Sequence, residues 1–138
     1  MKQTNSLKSL EASARDARSR AYAPYSNFQV GAALESDTGQ IFTGCNVENI
    51  SFGLTICAER NAVFAAIAAG VRKFRRIVVV ADSKEPVTPC GACRQVLSEF
   101  ADNMEIISIN LQGQKYRAGL SDLLPRSKAG ILDHPCST

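Results

Sequence analysis

Histidine is almost missing from this 138-residue chain: there is one, His134, four residues from the end. That excludes the His-Glu-x-x-His metallohydrolases, which need two histidines on one helix face. It also leaves no partner for a Ser–His or Cys–His nucleophilic pair unless the tail folds back into the site. No run of about twenty consecutive apolar residues is present, so no transmembrane helix is expected. Met1 to Ser9 is polar and lacks the apolar segment of an export signal, so the expected location is the cytoplasm. Five cysteines in such a chain argue against a disulfide framework. The net charge of +3 is small. It is spread over Lys8, Arg15, Arg18, Arg20, Arg72, Lys73, Arg75 and Arg76 without interleaved aromatics. This is the pattern of a solvated surface, and neither a nucleic-acid nor a membrane partner is expected. With no repeat, linker or low-complexity tract, residues 1–138 read as one domain, of which about 126–138 is a variable C-terminal tail.

What is present alternates between helical and strand patterns. Leu7, Leu10, Ala14, Ala17 and Ala21 recur at helical spacing, and Pro24 is expected to stop that helix. Phe28 to Leu34 and Ile41 to Asn46 form a hairpin about Asp37-Thr38-Gly39, and Val47 to Ile56 reads as a loop. Cys57 to Ala69 is a second helix, closed by Gly70. Its run from Ala62 to Ala69 is apolar on every face, so it is expected to be buried all round, under a sheet or against another subunit. Ile77-Val78-Val79-Val80 marks a central strand. Thr88-Pro89 reads as a helix cap followed by proline at the first position, opening a third helix from about Cys90 to Phe100. Strands over Glu105 to Ile109 and Tyr116 to Ala118 follow, then a helical turn over Leu120 to Leu124. The expected fold is α/β: a three-layer α/β/α sandwich around a mixed central sheet.

The chemistry sits in two short segments, Cys57-Ala58-Glu59 and Pro89-Cys90-Gly91-Ala92-Cys93. Three cysteines supply three zinc ligands and leave a fourth tetrahedral position open, as in a catalytic site. Both groups fall at helix starts, where unpaired N–H groups and the helix dipole favour thiolate over thiol. Cys90 and Cys93, three apart, share one helix face. A lone Cys-x-x-Cys also serves structural zinc knuckles and redox pairs, and Cys45 is in principle a fourth ligand. Three thiolates and Zn²⁺ carry a net charge of −1, which weakens Lewis acidity unless offset. Arg60 is the candidate to offset it, worth roughly 3 kcal/mol at about 6 Å, and Gln95 is the candidate to orient its guanidinium. Glu59 is the candidate proton shuttle. Two positions past Cys57 on a helix it sits about 200° around, so the first turn must be irregular or the side chain must reach back. The arrangement with a cysteine as first ligand is a known variant of the zinc deaminase signature.

Tyr22-Ala23-Pro24-Tyr25-Ser26-Asn27-Phe28-Gln29-Val30-Gly31-Ala32-Ala33 resembles the N-terminal signature of the small homotetrameric zinc-dependent cytidine deaminases. So do Gly44-Cys45-Asn46-Val47-Glu48-Asn49, Ile56 to Asn61 and Pro89 to Val96, with Asn110-Leu111-Gln112-Gly113 and Leu123-Leu124-Pro125 completing the series. The resemblance covers about residues 7 to 125. It implies hydrolytic deamination of cytidine and deoxycytidine with release of ammonia, one Zn²⁺ per subunit, and a homotetramer with active sites shared between subunits. It implies that Cys57, Cys90 and Cys93 are ligands and that Glu59 is the shuttle. It implies that Asn46 and Glu48 hold the ribose, that Phe28 forms an aromatic wall, that the backbone of Ala58 reads the pyrimidine amide edge, and that the carbonyl of Thr88 receives the leaving amine.

The chain departs from the family pattern in places that bear on substrate. Ile50 and Phe52 stand where the family has alanine and tyrosine. Lys128 stands where an aromatic residue usually stacks on the base; Ile131, Leu132 or His134 are possible substitutes. Loss of such stacking is worth about 1–3 kcal/mol. An alternative reading is therefore a deaminase for a modified or bulkier cytosine nucleoside, blasticidin-type or base-modified, although Asn46 and Glu48 favour a plain ribose. A polynucleotide-editing deaminase would lack its usual His-x-Glu and a basic groove. A silent zinc-stabilised subunit would need neither Glu59 nor Arg60.

Overall fold

A computed structural model describes residues 5–130. Its frame is a five-stranded sheet. The strands are β1 (Val30–Ser36), β2 (Ile41–Cys45), β3 (Phe74–Ala81), β4 (Glu105–Asn110) and β5 (Lys115–Gly119), in the order β2-β1-β3-β4-β5. β3 and β4 run parallel and every other pair is antiparallel, so the sheet is mixed. The helices are α1 (Leu7–Arg18), α2 (Ala58–Ala68), α3 (Gly91–Glu99) and the single turn α4 (Leu120–Leu123).

Strand alternation sorts the core into two layers. Ala33, Val78, Val80, Ile107 and Ile109 face Leu10 and Ala14 of α1. Ala32, Leu34, Ile77, Val79 and Ile106 face Ala62, Val63 and Ala66 of α2 and Leu97 of α3. This is the three-layer sandwich expected from the sequence. The β-branched run of β3 is buried on both faces because helices cover both sides of it.

Two glycines let helices approach the sheet at one end. A Cβ on Gly31 would lie 2.0 Å from the Ala14 carbonyl oxygen of α1. A Cβ on Gly44 would lie 2.4 Å from both the Ala58 carbonyl oxygen and the Ala62 nitrogen of α2. The start of α2 is therefore pressed against the end of β2, which brings Cys57 and Ala58 beside the segment carrying Asn46 and Glu48.

Three boundaries and one face differ from expectation or refine it. α1 ends at Arg18, well before Pro24, because Ser19 and Arg20 close it with backbone bonds of the 3₁₀ type. α3 is capped by Cys90, not Thr88: Cys90 is extended (φ −66°, ψ 170°) and its carbonyl accepts the first helical bond, from the Arg94 N–H. α2 ends as expected, in a Schellman turn with Gly70 at φ 86°. It is not buried all round, however. Ala58, Ala62, Val63 and Ala66 are enclosed, while Phe64, Ala65 and Ala68 are exposed, because one helix can meet the sheet on one side only.

Candidate active site

Cys57 and Cys90 are the N-caps of α2 and α3, and Cys93 lies in the first turn of α3. Neither capping cysteine bonds its own helix through its side chain. Both sulfurs are thereby free to turn toward the point where the two helix starts meet. The cap also resolves the position of Glu59. Cys57 has extended backbone angles (φ −70°, ψ 157°), so the 200° offset of a regular helix does not apply.

The Sγ of Cys57 is 3.9 Å from that of Cys90, and Cys90 Sγ is 3.6 Å from Cys93 Sγ. All three lie within 4.8 Å of one another. These separations are far beyond a disulfide bond. They bracket the ~3.8 Å edge of a tetrahedron with 2.3 Å zinc–sulfur bonds. The three residues therefore fit Zn²⁺. Cys45, the other candidate ligand, does not join the group: it ends β2, and its carbonyl accepts from the Asn61 side chain at 2.8 Å. Cys93 is buried and Cys90 exposed, so the cluster opens on one side to solvent.

The electrostatics point to a cation. A hydrogen bond with Cys93, aided by the Arg60 guanidinium, pulls the Cys57 thiol down to about 5. Cys93 is pushed up by that same hydrogen bond, by burial and by the charges of Glu59 and Cys57. Without an added positive charge a thiolate forms readily at Cys57 and is opposed at Cys93. Arg60 Nη2 lies 3.6 Å from Cys57 Sγ, and this contact keeps its guanidinium firmly charged. Among the described residues its buried Nε has no hydrogen-bond partner. Gln95 does not orient it. The Gln95 amide donates to Ser98 Oγ at 3.5 Å and to the Ser127 carbonyl at 3.3 Å, on the side of α3 that faces the C-terminal segment.

Glu59 is 5% exposed, and burial raises its carboxyl to about 7. A carboxyl held there exchanges its proton near neutral pH. Ala58 is the first residue of α2, fully buried, with no intrahelical partner for its N–H.

A second group of polar side chains is held in place beside this cluster. Asn46 Oδ1 accepts from the Val30 N–H at 2.8 Å, and its Nδ2 donates to the Phe28 carbonyl at 2.8 Å. Glu48 Oε1 accepts from the N–H groups of Tyr25 (2.9 Å) and Ser26 (3.2 Å). Its Oε2 accepts from the Ser26 hydroxyl. These bonds, the Ser26 hydroxyl first, hold the Glu48 carboxyl below its usual range. Glu48 also lines a cavity of about 410 Å³ together with Tyr25, Ser26, Phe52 and Thr55. Phe52 sits edge-on to Tyr25 there, ring centroids 5.9 Å apart. Phe28 is partly exposed, bonded through its N–H to Ser26 Oγ at 3.0 Å.

Thr88 is reached from the other side, two residues before Cys90. Its hydroxyl accepts from Arg94 Nη2 at 3.0 Å. Lys128 turns toward Asp102 (Nζ to Oδ1, 3.6 Å), near the end of α3. Ile131, Leu132, His134 and Cys136 lie outside the described residues. Sequence reasoning misses Ser26 and Arg94. Each acts on a partner brought close by folding, so the only linear signals are a Ser in the Tyr-Ser-Asn segment and an Arg directly after Cys93.

The family description "Cytidine and deoxycytidylate deaminase zinc-binding region" matches residues 4–108. The chain is 48% identical over 120 residues to a cytidine deaminase of Sporosarcina psychrophila, covering 86% of this chain and 88% of the relative. It superposes on the crystal structure of cytidine deaminase from Burkholderia pseudomallei with a TM-score of 0.85 and 49% identity, over 88% of this chain and 98% of that one. A blasticidin-S deaminase of Bacillus cereus is more distant: 31% identical over 104 residues, 70% of this chain and 74% of the relative.

Proposed function

The chain belongs to the family of cytidine and deoxycytidylate deaminases that carry this zinc-binding region, and from that premise we propose that it hydrolyses cytidine and deoxycytidine to the corresponding uridines and ammonia. The carrying observation is the convergence of three sulfurs at zinc spacing with a buried carboxyl from the same helix start.

Cys57, Cys90 and Cys93 would hold the ion. When bound, Zn²⁺ supplies the Lewis acidity that makes water nucleophilic near neutral pH. Glu59 takes a proton from the attacking water at its carboxylate, gives it to the ring nitrogen next to the reacting carbon, then takes the proton left on the added hydroxyl and gives it to the departing amine. Arg60 offsets the surplus negative charge of the sulfurs. Asn46 and Glu48 bind the ribose hydroxyls. Both are already fixed by backbone and Ser26 hydrogen bonds, so their remaining lone pairs and donor are presented without reorganisation. Phe28 walls the base, the Ala58 N–H reads its amide edge, and the Thr88 carbonyl accepts from the amine as it leaves.

The relatives favour plain cytidine over the blasticidin-type reading, because the blasticidin-S deaminase is the more distant match. The oligomer belongs to the same proposal. Phe64 (48% exposed), Ile50 (80%) and Phe52 (74%) form apolar surface that a homotetramer would cover. Ammonia release from a panel of cytidine, deoxycytidine and base-modified analogues, with zinc content measured on the same preparation, tests the assignment. A strong preference for a modified base would transfer it to the alternative. Absence of turnover in zinc-replete protein would end it.

A further inference from the structure

The nine residues between β3 and α3, Asp82 to Cys90, adopt no regular structure, and two of them, Pro86 and Pro89, have no N–H to donate. This stretch cannot secure itself with its own ladder of backbone bonds. Among the described residues, the hydrogen bonds made by the oxygens of residues 86–90 all come from Arg94. Its Nε donates to the Pro89 carbonyl at 2.7 Å, its Nη2 to the Thr88 hydroxyl at 3.0 Å, and its backbone N–H to the Cys90 carbonyl at 2.9 Å. The third face of the guanidinium is spent on the far side: Nη1 donates to the Leu123 carbonyl of α4 at 3.1 Å. The segment beyond α4 is tied to α3 by the neighbouring side chain, Gln95 to the Ser127 carbonyl. Arg94 is therefore a planar clamp joining the loop before the cysteines to the C-terminal segment. A guanidinium presents such a fork of fixed donors, and an ammonium does not.

We infer that Arg94 is a positioning residue: it fixes the Thr88–Pro89 peptide so that the Thr88 carbonyl meets the leaving amine, and it does so without holding the metal. The inference rests on the deaminase reading above. The sulfurs keep their places through the starts of α2 and α3, so metal binding and amine placement separate. A misplacement of about 1 Å can cost about a hundredfold in rate.

The test compares wild type with Arg94→Lys and with Thr88→Val, which removes the hydroxyl that Arg94 grips while keeping the side-chain shape. Steady-state deamination of cytidine is measured beside zinc stoichiometry and the visible spectrum of the cobalt(II)-substituted protein. The expected result is a kcat lowered by between about tenfold and about a hundredfold in Arg94→Lys. Thr88→Val should show a smaller fall. KM should stay within about threefold, with one zinc per chain and an unshifted cobalt spectrum. Wild-type kcat in both variants overturns the inference, and so does a loss that follows zinc content or a displaced cobalt spectrum. Should Arg94→Lys fail to fold, Thr88→Val alone decides by the same criteria. An inactive wild type would instead strike the deaminase reading, before any variant is compared.

Discussion

Glu59 and Arg60 are neighbours in sequence, yet each is tuned by a different contact. Burial lifts the Glu59 carboxyl to about 7, and the sulfur of Cys57 keeps the Arg60 guanidinium charged. Glu59→Gln keeps the shape and removes the transferable proton. Its kcat should fall by about 10²–10⁴ while zinc content is unchanged. Parallel ammonia and metal assays check this, and a simultaneous loss of metal would mean Glu59 acts as a ligand. Arg60→Ala should lose activity while retaining part of its metal, because the surplus charge on the sulfurs is no longer offset. An undiminished rate there would remove the charge argument. Residues of this kind are legible in the sequence because their meaning is local: Cys57, Glu59, Cys90 and Cys93 are fixed by spacing along two helix starts. Ser26 and Arg94 are not legible. Glu48 is 22 residues from Ser26, and the Leu123 carbonyl 29 from Arg94, so only the folded chain reveals those pairs. Gln95 misleads for the converse reason. It adjoins the motif in sequence but points to Ser98 and Ser127.

The elements themselves follow from pattern where burial dictates composition. The β-branched run of β3 and the helical repeat of α1 are examples, since both faces of one and one stripe of the other are enclosed. Boundaries shift where a tertiary contact decides them. α3 starts two residues later than Thr88-Pro89 suggests, because the chain stays extended through Cys90 and delivers its sulfur to the cluster. The face of α2 carrying Phe64 cannot be read as open, because apolar sequence does not say how many neighbours a helix has. The seat of α2 on β2 gives a sharp test. In Gly44→Ala the new methyl would meet the Ala58 carbonyl oxygen and the Ala62 nitrogen, both at 2.4 Å. These are backbone atoms and cannot swing aside. The substitution should cost about 1–3 kcal/mol or more in chemical denaturation, and should lower activity in the surviving folded protein by shifting Cys57. Wild-type stability in Gly44→Ala would show that α2 stands further from the sheet.

Across the whole molecule, the end of the sheet away from the cysteines is closed by charge. Glu35 is fully buried in β1, and its Oε1 accepts from Arg75 Nε at 2.8 Å and Arg76 Nε at 2.7 Å. Asn5 adds bonds to Oε2 from its backbone at 2.9 Å and its side chain at 2.7 Å. Burial pushes this carboxyl up, but the hydrogen bonds from Arg76 and Asn5 outweigh it and hold it at about 2, below its ordinary 4.5. Its contribution, on the order of 3 kcal/mol, is fully present above pH 4.5 and is lost as the pH falls toward 2. The stability gap between wild type and Glu35→Gln should therefore narrow across that window. A gap independent of pH would mean that Glu35 acts through packing alone. At the opposite end, two helices begin on residues whose side chains leave their first amides uncapped, and those same side chains are the proposed metal ligands. Helix initiation and metal capture would then be one event. A chelator should loosen the opening turns of both helices together, read as faster amide exchange at 58–60 and 91–93 while β3 stays protected. The chain would then report the metal supply of its surroundings through its own local order.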